Sequence, residues 1–126
     1  MPTYFVHPDI AKAETISTDV YLSPEVFTHS KERIFAPSWQ FVGDTGQVKE
    51  NGAVFPFTLL EHYLDEPLML TRDKEGVLHC LSNVCTHRGN LVVNQPCKQQ
   101  HLQCRHHGRS FQLAGTFSFL PDFSAA

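Results

Sequence analysis

Acidic residues are missing from the stretch that carries the chain's most distinctive chemistry. Twelve of the thirteen Asp and Glu residues precede Cys85, and Cys85 to Arg109 contains none, although it holds Arg88, Lys98, Arg105 and Arg109. With no carboxylate at hand, a 2-His-1-carboxylate site for mononuclear iron is excluded there, even though His101 and His106 are suggestively spaced. Long apolar runs are also absent: none approaches the length of a membrane span. Met1 to His7 shows no basic region followed by an apolar stretch, so no signal peptide is expected and the cytoplasm is the expected compartment. The net charge of −3 argues against a nucleic-acid partner. No internal repeat or low-complexity tract is present. The 126 residues, 41% of them hydrophobic, suit a single soluble domain with a real core.

What the chain does have is two short knuckles. Cys85-Thr86-His87 offers one thiol and one imidazole as C-x-H, and Cys104-Arg105-His106-His107 offers the same pair as C-x-x-H. Two Cys and two His are the donors of a Rieske-type [2Fe–2S] cluster, with both cysteines on one iron and both histidines on the other. Two ferric ions, two sulfides and two thiolates sum to zero charge, so neutral imidazoles make reduction easier than an all-cysteine set does. Such centres span about −150 to +300 mV, against about −400 mV for plant-type ferredoxins. The predicted metal ligands are therefore Cys85, His87, Cys104 and His107. Arg88, Gly89 and Gly108 are expected to help bind the cluster, the glycines by letting backbone amides approach it. The basic residues of this stretch would favour an anionic reduced state and steer an acidic redox partner.

Other readings of the same residues stay open. Cys₂His₂ is also a zinc ligand set, although zinc fingers usually group two Cys and then two His. His106 is an alternative to His107 as a ligand. His79, in a predicted strand, is expected to pack or meet solvent, and His101 to lie on a loop. Cys80 and Cys97 remain over and could pair in principle, but reduced, partly buried thiols suit a cytosolic chain better.

The pattern along the chain predicts a mostly β fold, a small antiparallel β domain with two cluster-binding loops and a short N-terminal helix. Ser23-Pro24-Glu25 combines an N-cap serine, a proline at the first helical position and an acid in the first turn, giving a helix over about 24–35. Val26, Phe27, Ile34 and Phe35 would face inward, and Ala36-Pro37 would end the helix. Trp39 and Phe41 alternate with Gln40 as if entering a strand. Asn51-Gly52 is a turn before a strand over 53–60 that Pro56 pushes toward an edge or bulge. Residues 68–71 and 77–81 form a hairpin, as do 110–113 and 116–119 around Ala114-Gly115. The division expected is 1–36 as an approach segment and 37–126 as the cluster domain, with loops at about 84–90 and 103–110.

On these motifs the chain resembles the Rieske domain of ring-hydroxylating oxygenase large subunits. The resemblance rests on Phe35-Ala36-Pro37-Ser38-Trp39-Gln40-Phe41-Val42-Gly43, on Asn83-Val84-Cys85-Thr86-His87-Arg88-Gly89-Asn90 and on Cys104-Arg105-His106-His107-Gly108. It implies electron transfer from a reductase or ferredoxin to a mononuclear iron in a separate oxygenase domain, with no membrane and no catalytic residue of its own in this chain. Relatives in cytochrome complexes add bridging cysteines where this chain has Asn90 and His106, so no such disulfide is available here. The family's domain usually continues with closing strands, so this one is expected to be truncated at its C-terminus. A stand-alone Rieske-type ferredoxin and a zinc-stabilised interaction module are the other functional classes compatible with the residues.

Overall fold

Ser23 does start a helix. In the computed structural model, which describes residues 4–121, its Oγ accepts the Val26 N–H at 3.4 Å and Pro24 occupies the first helical turn. The chain divides into two units, residues 1–40 and 41–126. In the first, α1 (Asp19–Leu22) leads into α2 (Pro24–Ser30). Beyond Ser30 the predicted helix is not α: Lys31–Phe35 widens into a π turn, closed by Ala36 N–H on Lys31 O at 2.9 Å. Pro37 has no N–H to offer the Arg33 carbonyl, and hydroxyls of Thr28, Ser30 and Ser38 donate to carbonyls one turn back, a pattern that bends helices.

The inward face predicted for this helix is not buried. Phe27, Ile34 and Phe35 are exposed and Val26 is half-buried, because a unit of some forty residues cannot enclose a core of its own. The strand expected at Trp39 and Phe41 is absent too. Both rings are exposed, and the Gln40 amide donates to Phe35 O at 2.9 Å, tying the chain to the helix end instead of a ladder.

The second unit is built of two antiparallel sheets. Asp44 caps a 3₁₀ turn at Thr45–Val48, and β1 (Ala53–Leu59), β2 (Glu66–Arg72) and β3 (Leu78–Ser82) follow as a meander. With β4 (Cys97–Lys98) they form a sheet ordered β3-β2-β1-β4. Strand β4 pairs only with Ala53 and Val54, so Pro56, with no N–H to give, sits where β1 is an open edge. The second sheet is β5 (Leu102–Gln103), β6 (Ser110–Phe111) and β7 (Phe117–Phe119) in sequence order. Its strands are shorter than predicted. The mostly β, antiparallel fold class is as expected, while residues 122–126 of the predicted domain lie outside those described.

Alternation places Val54, Met69, Leu102 and Leu113 in one core with Val92, Val93, Cys85 and Cys104. The fully buried Thr71 joins β2 to the second sheet's turn, its hydroxyl donating to Leu113 O at 2.6 Å. Losing one partner of such a buried bond costs about 1–3 kcal/mol. Cys80 lies on β3 and Cys97 on β4, at opposite edges and three strand spacings apart, roughly 14 Å. That separation forbids a disulfide. Both thiols are free and exposed rather than partly buried, since these are edge strands.

Across the β2–β3 hairpin, His79 and Asp73 meet at 2.7 Å. The imidazole beside it, with the Val77 N–H, holds the Asp73 carboxyl below its ordinary value of 3.8 despite partial burial. A carboxylate lowered on folding stabilises the protein above its unfolded pKa and loses that contribution as pH falls through the folded value. Asp73→Asn, which keeps the Val77 cap, is therefore expected to lower the urea midpoint at pH 6 and to match the parent protein well below pH 3.8. Urea titrations at both pH values check this.

Candidate metal centre

Two hairpin tips of the same construction carry the predicted ligands. The first leaves the end of β3. Its neck is clamped by the buried Asn83, whose amide donates to Val93 O at 2.7 Å and accepts the Val93 N–H at 2.9 Å. A bridge between Val84 and Leu91 follows, and then Cys85 N–H donates to Asn90 O at 2.8 Å. The second tip joins β5 to β6, and there Cys104 N–H donates to Arg109 O at 2.9 Å. In both, the glycine four residues after the cysteine returns its N–H to the cysteine carbonyl: Gly89 to Cys85 O at 3.0 Å, Gly108 to Cys104 O at 2.9 Å. Both glycines are left-handed, with φ of +72° and +74°. Their amides close the loops rather than point outward, so their part in the site is to shape each tip.

Burial separates the donors into two pairs. The thiols of Cys85 and Cys104 lie in the core at 2% exposure, whereas His87 and His107 stand at the exposed tips. Those two rings meet edge-on with centroids 4.7 Å apart, and His106 stacks on His107 at 3.9 Å. Burial alone would push the Cys104 thiol up. The backbone N–H groups of His106 and His107, the Cys85 thiol and the Asn90 amide overcome that, and hold it below the ordinary value. Desolvation, then the neighbouring His106, His87 and Arg88, lower the His107 pKa from its ordinary value. These shifts favour the thiolate at Cys104 and the uncharged imidazole at His107. Two buried thiols and two exposed imidazoles on paired loops are the donor chemistry that a [2Fe–2S] cluster with cysteines on one iron and histidines on the other calls for.

Of the other residues singled out by sequence, Arg88 is exposed beside His107. His101 is exposed, and His79 is engaged by Asp73 away from the loops. The basic set is smaller than its composition suggests. Lys98 Nζ is paired with Glu50 at 2.5 Å, and the Arg109 guanidinium lies over Phe117 at 4.7 Å, which leaves Arg88 and Arg105 as the outward charges. Asn83 and the side chain of Asn90 were not singled out as working residues. An asparagine at each end of a Cys-containing loop was the available signal, since such side chains bond to nearby backbone.

The Rieske [2Fe–2S] domain family matches residues 38–125, and the chain belongs to that family. It is 34% identical over 100 residues to the chloroplastic choline monooxygenase of Beta vulgaris, covering 78% of this chain and 21% of that protein. It is 29% identical over 116 residues to the carnitine monooxygenase oxygenase subunit of Acinetobacter baumannii, covering 91% and 30%. Among solved structures, a quaternary ammonium Rieske monooxygenase in complex with L-carnitine superposes with a TM-score of 0.73 at 28% identity, over 82% of this chain and 29% of that one. Naphthalene 1,2-dioxygenase shares the fold, with a TM-score of 0.67 at 24% identity over 78% and 21%. The chain thus spans between a fifth and a third of the length of these relatives, which are oxygenase components and oxidoreductases.

The two loop glycines differ in their surroundings. A Cβ at Gly89 would meet nothing within 4 Å, whereas one at Gly108 would lie 2.9 Å from Pro121 Cγ. Gly89→Ala is expected to cost only the left-handed backbone term, about 1–2 kcal/mol, and Gly108→Ala distinctly more. Chemical unfolding of the two variants side by side checks the order.

Proposed function

We propose that this chain is the electron-transfer domain of a Rieske-type oxygenase, with Cys85 and Cys104 on one iron of a [2Fe–2S] cluster and His87 and His107 on the other. The observation that supports this most is the matched pair of hairpin tips, each presenting a buried thiol below an exposed imidazole. The bound cluster would supply one-electron chemistry at a potential raised by its imidazoles. Cys85 and Cys104 anchor it to the core, and N–H groups around Cys104 favour the thiolate. His87 and His107 are positioned at the surface, where a partner can approach, and Arg88 sits beside them. Gly89 and Gly108 hold the tips in shape.

The proposed donor is a reductase or ferredoxin. The proposed acceptor is a mononuclear iron in an oxygenase domain outside this chain. Curated relatives are named for choline, carnitine and glycine betaine, so the parent enzyme is assigned to monooxygenation of quaternary ammonium compounds. No helix among the described residues is long and apolar enough to cross a membrane, and the unpaired Cys80 and Cys97 suit a reducing compartment such as the cytoplasm.

Metal and sulfide analysis of anaerobically purified protein, with EPR after dithionite reduction, tests the assignment. Two irons and two sulfides per chain, with the low average g value of a histidine-ligated cluster, are expected, and Cys85→Ala or His107→Ala should abolish both. One zinc with no sulfide would overturn it. Steering by the outward charges predicts a second result. Arg105→Glu should slow reduction by an acidic donor several-fold at low salt and little at high salt. Lys98→Glu, already neutralised by Glu50, should change the rate less, and stopped-flow reduction at two ionic strengths compares them.

A further inference from the structure

The two hairpin tips match in backbone but not in the side chain that follows each glycine. After Gly108, Arg109 turns away and stacks on Phe117. After Gly89, the exposed Asn90 turns its amide across to the opposite tip, where its Nδ2 lies 3.8 Å from the Sγ of Cys104. The same nitrogen donates to Leu91 O at 2.8 Å. A carbonyl can only accept, so this contact requires the amide's NH₂ group at that position and settles which end faces the sulfur. One N–H is spent locally to orient the group, and the second is left for Cys104. The Asn90 backbone carbonyl meanwhile accepts the Cys85 N–H at 2.8 Å. A single residue therefore touches both cysteines, one through its main chain and the other through its side chain.

We infer that Asn90 is a tuning residue of the metal centre, its side-chain N–H stabilising the electron-rich Cys104 sulfur across the gap between the loops and so favouring the reduced state. This rests on the cluster assignment above. A donor to a ligand sulfur offsets the negative charge added on reduction, and raises the potential. The effect is confined to one of the two thiolates: Asn90 is the side-chain amide that reaches a cysteine sulfur among the described residues. It also gives the loops a non-covalent cross-connection at a position where a bridging disulfide is unavailable.

The test is the midpoint potential of the purified protein and two variants of the same shape, Asn90→Leu and Asn90→Asp, followed by visible absorption or EPR. Neither variant has a donor at that position, and both keep the backbone carbonyl that Cys85 uses. Asn90→Leu, which changes no charge, is expected to disfavour reduction three- to tenfold, about 30–59 mV at 59 mV per decade for one electron, and Asn90→Asp, which adds a carboxylate beside the sulfur, by more. Asn90→Gln should recover part of the loss. A midpoint unchanged in whichever variant carries a full cluster would overturn the inference. Loss of the cluster from both would overturn it too, by making Asn90 a structural part of the loop. Parent protein lacking iron and sulfide would instead sink the cluster assignment, so the two failures are distinguishable.

Discussion

The site depends on a backbone pattern repeated twice: a cysteine whose N–H and C=O are both consumed by its own hairpin tip. Cys85 is held by Asn90 and Gly89, and Cys104 by Arg109 and Gly108, with distances of 2.8 to 3.0 Å throughout. Satisfying both polar groups of a buried residue removes the cost of burying it. The two thiols can therefore sit in the hydrophobic core with Leu102 and Val92. Once the cysteines are fixed at the necks, the imidazoles two and three residues further on have nowhere to go but the tips.

Electrostatics then follows burial. Inside, N–H groups gather around Cys104 and work against the desolvation that would keep it protonated. Outside, desolvation and three neighbouring cationic or titratable groups lower the His107 pKa. The thiolate is thus favoured at Cys104 and the uncharged imidazole at His107. The outward charge available to a partner is reduced to Arg88 and Arg105, because Lys98 and Arg109 are engaged by Glu50 and Phe117.

Much of this was legible in the sequence, for identifiable reasons. The knuckles are local, so C-x-H and C-x-x-H followed by glycine announced both the donors and the tight turns. Strands β1 to β3 followed from alternation and from turn residues such as Asn51-Gly52. The N-terminal helix was visible in its cap, but its π turn was not, because that depends on where a missing proline N–H falls and on hydroxyls bonding backward. The buried face assigned to Phe27, Ile34 and Phe35 assumed a core that forty residues cannot build. Asn90 escaped notice because its contact with Cys104 crosses between loops fourteen residues apart, a separation at which no periodicity carries information. The Lys98–Glu50 pairing, 48 residues apart in sequence, was hidden in the same way.

The two cysteines ride on different supports. Cys85 extends from β3 of the first sheet, and Cys104 from β5 of the second. Their separation is therefore a measure of how the sheets pack, set by Met69, Leu102 and Leu113 in the core and by the Thr71 tether. The molecule behaves as a pair of calipers whose hinge is its hydrophobic interior. A change of one methylene in that interior, remote from any donor atom, would be read out at the jaws. Drift in the core is thereby coupled to the geometry of the site, and the residues that keep the domain folded are under the same constraint as the residues at the hairpin tips.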